Sequence, residues 1–116
     1  MKRGDVVLVH LPFVGTVGSK VRPALVLQND VLNKSLRETI IAEITSNLKH
    51  VTRPHQVLID LSTTDGAASN LLMDSAVRCE RVHVISQSDV RQVIGVLSAS
   101  LMQQVEAAVK SALGIP

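Results

Sequence analysis

The chain has 116 residues, 46% of them hydrophobic, with one cysteine and a formal net charge of +2. Such a length predicts a single domain over residues 1–116, with apolar content enough for a core without staples. The lone Cys79 excludes an intrachain disulfide or a cysteine-based zinc site and fits a reducing cytoplasm, and neither a signal peptide nor a membrane span is legible.

Asp5 to Leu11, rich in β-branched residues, predicts a first strand, and Pro12, Gly15 and Gly18 then predict a loop. Arg22 to Gln28 reads as a second strand. Proline fixes its own φ and forces the preceding residue into an extended conformation, so Arg22 stands extended at the mouth of that strand. Val31 to Leu36 suits a turn or one helical turn, and Thr39 to Ile44 a third strand that stops at Thr45-Ser46-Asn47. After a polar loop over 47–55, Gln56 to Leu61 alternates in the manner of a strand with one buried face. A loop follows around Asp65-Gly66. Ser75 to Ile85 is extended and unusually polar, and Gln92 to Leu97 is a last short strand. Ser100-Leu-Met-Gln103 matches a capping box opening a terminal helix, whose stripe is Met102, Val105, Val109, Ala112 and Leu113 and whose end is Gly114. Short strands followed by one helix predict a compact, mostly antiparallel β barrel.

The distribution of charge says more than its sum. Residues 10–29 carry His10, Lys20 and Arg22 with no carboxylate, and residues 44–59 carry Lys49, His50, Arg53 and His55 with none. Two cationic loop regions suit a nucleic-acid surface, although solvated loops are often cationic without any partner. An aromatic content of 1%, Phe13 alone, argues against the stacking platforms of many single-strand binders. No phosphate-binding glycine loop, HExxH motif or histidine ligand spacing is present, so neither a metal nor another cofactor is expected. What remains are polar residues at strand ends: Arg22, Thr45, Ser46, Arg78 and Glu80. Arg78 and Glu80 lie two apart on a strand and share a face. They form either a self-neutralising ion pair or an acid/base pair, and the pattern leaves both open.

Four segments occur in order: Lys2-Arg-Gly-Asp-Val6, Arg22-Pro-Ala-Leu-Val-Leu-Gln-Asn-Asp30, Ile44-Thr-Ser46 and Asp74-Ser-Ala-Val-Arg-Cys-Glu80. Together they resemble the MazF/PemK family of toxin endoribonucleases. The resemblance implies an SH3-like antiparallel β-barrel with a C-terminal helix, working as a cytoplasmic homodimer. It implies metal-independent, sequence-selective cleavage of single-stranded RNA, often messenger RNA, and a cognate antitoxin protein that blocks the RNA groove. By position, the implied catalytic residues are Arg22, Thr45, Arg78 and Glu80. Thr16, Ser19, Lys20, Ser46, Lys49, Arg53 and His83 are the candidate RNA-binding residues, mostly in loops 12–20 and 46–55. Two departures stand out. Val17 occupies a loop position where many members carry glutamate, and His83 occupies one where arginine is usual. The rival readings are a toxin-fold protein that binds a protein target such as gyrase, and a member that binds RNA without cutting it.

Overall fold

The computed structural model describes residues 1–116 apart from Phe13, Val14, Thr16 and the side chain of Ser19. Strand β1 (Asp5–Pro12) pairs with β2 (Ser19–Val26) from Val6 opposite Leu25 to Pro12 opposite Ser19. A short helix α1 (Asp30–Ser35) leads to β3 (Glu38–Thr45), and β4 (Gln56–Ile59) and the four-residue α2 (Thr64–Ala67) lead to the long β5 (Ser75–Ser86). A 3-10 turn over Gln87–Asp89, β6 (Val90–Val96) and helix α3 (Ala99–Leu113) complete the chain. All pairings are antiparallel, in the order β4-β5-β3-β2-β1-β6. The architecture is the mostly β one with a terminal helix that the sequence predicts. The sheet is open rather than closed by hydrogen bonds, with four-residue β4 at one edge and β6 at the other.

Side chains alternate across a strand, and here both faces are buried. Val6, Leu25, Ala42, Ile44, Val57 and Val77 meet Leu101, Met102, Val105 and Ala108 of α3. On the opposite face Val7, Val9, Leu11, Ala24, Val26 and Ile41 pack with Met1, Ile85 and Val90. Among the described residues no helix contributes to this second cluster, yet Val7, Val9, Ala24, Val26 and Ile41 are all 0% exposed. The sheet therefore curls over itself, bringing the end of β5 and the start of β6 across β1 and β2. That curl is the barrel-like feature of the fold.

The alignment of β5 with β3 breaks once. Ala42 faces Val82 and Glu43 faces Arg78, so residues 79–81 stand outside that ladder. The cap of helix α3 lies two residues before the predicted one: Ser98, not Ser100, has the extended backbone and accepts a hydrogen bond from Leu101 N at 3.2 Å. Leu97 is tied to Gly4 by a backbone bond of 2.9 Å, which draws the helix start onto the first strand. Leu101 and Ala108 join the buried face, whereas Leu113 is exposed; Gly114 ends the helix with φ 71°. Among the described residues no helix is long and apolar enough to cross a membrane.

Candidate active site

The first turns of β2 and the end of β3 form one wall of a cleft of about 460 Å³, with Asn70 to Met73 opposite. Lys20, Arg22, Thr45 and Ser46 all line it. The sheet alignment explains why. Ala24 lies opposite Glu43, and extending that register by two residues puts Arg22 opposite Thr45. Pro23 allows this because it faces Leu8 on β1 at a point where β2 has not yet met β3. Thr45 Oγ1 accepts from Asn47 N at 3.1 Å, which turns the chain away from the sheet and leaves the hydroxyl proton available to a ligand. Among the described residues, neither Arg22 nor Lys20 has a carboxylate within ion-pair distance.

The far wall was not legible in sequence. Asn70 takes a left-handed backbone, φ 56°, and its Nδ2 donates to Ile94 O at 2.7 Å. Gly95 makes the approach possible: a Cβ there would stand 2.2 Å from Ser69 O. Leu72 and Met73 are left projecting at the rim.

Arg78 and Glu80 do not line the cleft. They lie one step along the sheet, where Arg78 faces Glu43 on one side and Gln56 on the other. Glu80 Oε2 accepts from Gln56 Nε2 at 3.0 Å and has His55 Nε2 at 3.6 Å and Arg78 Nε at 3.7 Å. Burial alone would raise the Glu80 carboxyl; the Gln56 bond, its own backbone amide and the charges of Arg78 and His55 outweigh this and hold it below the ordinary glutamate value. Glu80 is thus ionised at neutral pH, and a weaker base than a free glutamate.

A second carboxylate cluster adjoins it. Glu43, 8% exposed, accepts from Arg81 Nε at 3.1 Å, and its Oε2 lies 2.5 Å from His83 Nε2. The break in the β3–β5 ladder swings Arg81 onto Glu43 in place of its strand partner Arg78. Of the candidate RNA-binding residues, Lys20 and Ser46 are in the cleft, and Lys49 and Arg53 are exposed on the 46–55 loop. His83 is engaged by Glu43. Ser19 opens β2 opposite Pro12, and Thr16 lies outside the described residues. Among the described residues no group of three or more His, Cys, Asp or Glu is placed to hold a metal ion.

Residues 2–113 match the family described as PemK-like, MazF-like toxin of type II toxin–antitoxin system. The chain belongs to this family. It is 30% identical over 116 residues to the endoribonuclease MazF of Staphylococcus saprophyticus, covering 99% of this chain and 92% of that protein. It is 31% identical over 116 residues to the endoribonuclease EndoA of Bacillus subtilis, covering 99% and 96%. Its fold is similar, with a TM-score of 0.79 at 18% identity, to a mycobacterial endoribonuclease solved in complex with its cognate antitoxin, over 100% of this chain and 97% of that one.

Two of the segments behind the MazF/PemK resemblance have structural work in this fold. Gly4 takes φ 93° in a turn whose Lys2 N donates to Asp5 Oδ2 at 2.8 Å, and Gly4 N reaches Val26 O at 2.9 Å. At the other end of the Arg-Pro strand, Gln28 and Asn33 bond each other and Thr39: Gln28 Nε2 donates to Asn33 Oδ1 at 2.9 Å and Thr39 Oγ1 to the same oxygen at 2.7 Å. Asn29 caps α1 through Leu32 N at 2.9 Å. That buried network anchors the strand whose opposite end presents Arg22.

Proposed function

We propose that this chain is a metal-independent, sequence-selective endoribonuclease, the toxin of a toxin–antitoxin pair, cutting single-stranded RNA such as messenger RNA in the cytoplasm. The observation that carries this reading is the cleft in which Arg22 stands opposite Thr45, with Lys20 beside it and, among the described residues, no carboxylate paired to either cation. Such a cleft holds a phosphodiester. The RNA 2′-oxygen attacks phosphorus, the bond from phosphorus to the 5′-oxygen breaks, and the products are a 2′,3′-cyclic phosphate and a 5′-hydroxyl. One proton leaves the 2′-hydroxyl and one reaches the departing 5′-oxygen.

Arg22 is assigned to the charge on the non-bridging oxygens, and the Thr45 hydroxyl to orienting one of them. Arg78 adds positive charge from the adjoining row of the sheet. Glu80 is the candidate acceptor of the 2′-proton through the family resemblance; it lies one step along the sheet from the cleft, and its lowered carboxyl makes it an inefficient base. Lys20, Ser46, Lys49 and Arg53, with Thr16, Ser19 and His83, are assigned to the flanking nucleotides. The whole chain acts as one toxin domain, as a homodimer, until an antitoxin protein covers the cleft.

End-sequencing of RNA fragments made by the purified protein tests this directly, with supercoiled DNA plus gyrase as a parallel substrate. The expected result is fragments with 5′-hydroxyl ends and no effect on gyrase. Arg22→Ala should lower cleavage by about 10²–10³-fold, the usual effect of removing one donor to a developing oxyanion. Its fold should be intact, because Arg22 holds its place in the ladder opposite Val9 through backbone rather than side chain. Cleavage by Arg22→Ala at the wild-type rate would sink the assignment. RNA binding without 5′-hydroxyl products would make the chain a binding protein only.

A further inference from the structure

We propose that Arg91, held in place by His10, is a phosphate-binding subsite that continues the RNA track beyond the Arg22–Thr45 cleft. The proposal rests on the reading that the cleft takes RNA. Arg91 is the extra residue where β6 slips against β1: Leu8 faces Gln92, and the next residue, Val9, faces Val90. A bulge of this kind re-aims the side chain it frees. Arg91 Nη1 lies 2.7 Å from His10 Nε2. A guanidinium can only donate, so Nε2 is the acceptor and the single ring proton sits on Nδ1. That Nδ1 is buried and has no partner among the described residues. An unpaired buried donor is destabilising, and a fold that retains one invites an explanation beyond packing.

The explanation offered by the geometry is control of Arg91. Among the described residues no carboxylate lies within ion-pair distance of it. A neutral histidine therefore restrains the guanidinium and leaves its charge whole, so part of the ordering entropy is removed before a ligand arrives. Arg91 also borders a hollow beside Met1 and Gln87, but the contact with His10 commits its tip to the other side.

That side is the cleft's. His10 lies opposite Val21, and Leu8 opposite Pro23. Leu8, Val21 and Pro23 all line the cleft. Residues two apart on a strand share a face, so His10 stands on the face of Leu8, Val21 and Pro23, next along β1 beyond Leu8. An arginine fork on that face suits the oxygens of a further phosphate of an extended single strand.

The test is the salt dependence of binding to a random-sequence single-stranded oligonucleotide with every ribose 2′-O-methylated, which cannot be cut. The logarithm of affinity falls with the logarithm of salt by about 0.7 per phosphate contact on single strands. Arg91→Ala should reduce the slope by about 0.7. His10→Leu should reduce it in the same direction while raising the urea midpoint, because the unpaired buried donor is gone. His10→Gln, whose amide oxygen can accept from the guanidinium, should restore the slope. An unchanged slope in Arg91→Ala overturns the subsite, and a His10→Gln variant as defective as His10→Leu overturns the positioning role of His10. Failure of the wild-type protein to bind the oligonucleotide also overturns the subsite; cleavage of unmodified RNA by the same preparation then shows that the reading of the cleft stands without it.

Discussion

The carboxylate of Glu43 offers the sharpest test of the electrostatics beside the cleft. Its side chain is 10% exposed and holds Arg81 at 3.1 Å and His83 at 2.5 Å. Burial pushes its carboxyl up, but the hydrogen bonds from His83 and Arg81 and the charges behind them win, and the folded value lies below the ordinary 4.5. A carboxyl depressed by folding contributes stability that is present above its unfolded value and is lost as the pH falls through its folded value. Glu43→Gln keeps the shape and an accepting oxygen and removes the charge. Hydrogen bonds to charged groups contribute about 1.5–3 kcal/mol each, and one of the two here should survive in neutral form at reduced strength. The variant should therefore be about 2–4 kcal/mol less stable than wild type at neutral pH, below the about 3–5 kcal/mol expected when a buried pair loses a partner outright. Urea melts across a pH series measure this. The two curves should be furthest apart at neutral pH and converge as the pH drops below 4.5 and wild type loses the charge as well. Parallel curves through that range would refute the assignment of the stabilisation to the ionised carboxylate.

Two further outcomes follow from packing. Gly95→Ala places a Cβ 2.2 Å from Ser69 O and 2.4 Å from Ser69 C, both backbone atoms; the urea midpoint should fall by an amount equivalent to at least about 1–3 kcal/mol, with RNA cleavage falling too because residues 70–73 form the far wall. An unchanged midpoint would show that the 69–73 segment moves freely. Cys79 is 1% exposed, and burial, with Glu80 beside it, pushes its thiol up to about 11. Alkylation at mildly alkaline pH should proceed only as fast as the protein unfolds, and rapid labelling of the native protein would contradict that burial.

What the sequence made legible divides by the range of the interactions. The strands came through because Val6, Val9, Leu25, Ile41 and Val77 belong to short runs of β-branched or aliphatic residues bounded by polar ones, a signal local to each segment. Arg22 came through because Pro23 forces its conformation, and Thr45 because a strand of apolar residues ends there. The far wall did not: it depends on Gly95 meeting Ser69, a contact between residues far apart in the chain that no local pattern encodes. Glu43 and Arg81 were missed for a related reason. A glutamate within Thr39-Ile-Ile-Ala-Glu-Ile44 is a visible anomaly, but its partners are chosen by a three-residue break in the β5 ladder, and breaks in register leave little trace in composition. The terminal helix shows the limit of motif spacing. Ser98 and Ser100 both precede the apolar stripe, and only the tie between Leu97 and Gly4 decides which one has the extended backbone of a cap.

The arrangement of charge across β3 and β5 bears on how a polyanion could be accepted at all. Two carboxylates, Glu43 and Glu80, stand on the strands next to the cleft, and either one free and ionised would repel a phosphate. Neither is free. Glu43 is held by Arg81 and His83, and Glu80 by Gln56, Arg78 and His55. The cations of the cleft itself have no such partners among the described residues. Partner choice within the sheet thus does what the net charge of +2 could not do alone. It closes off the Glu43 and Glu80 carboxylates and leaves the open positive charge along Lys20 and Arg22. On this argument Arg81→Ala should weaken RNA binding in a filter-binding titration although Arg81 is not assigned to the RNA, because it releases part of the Glu43 charge toward the cleft.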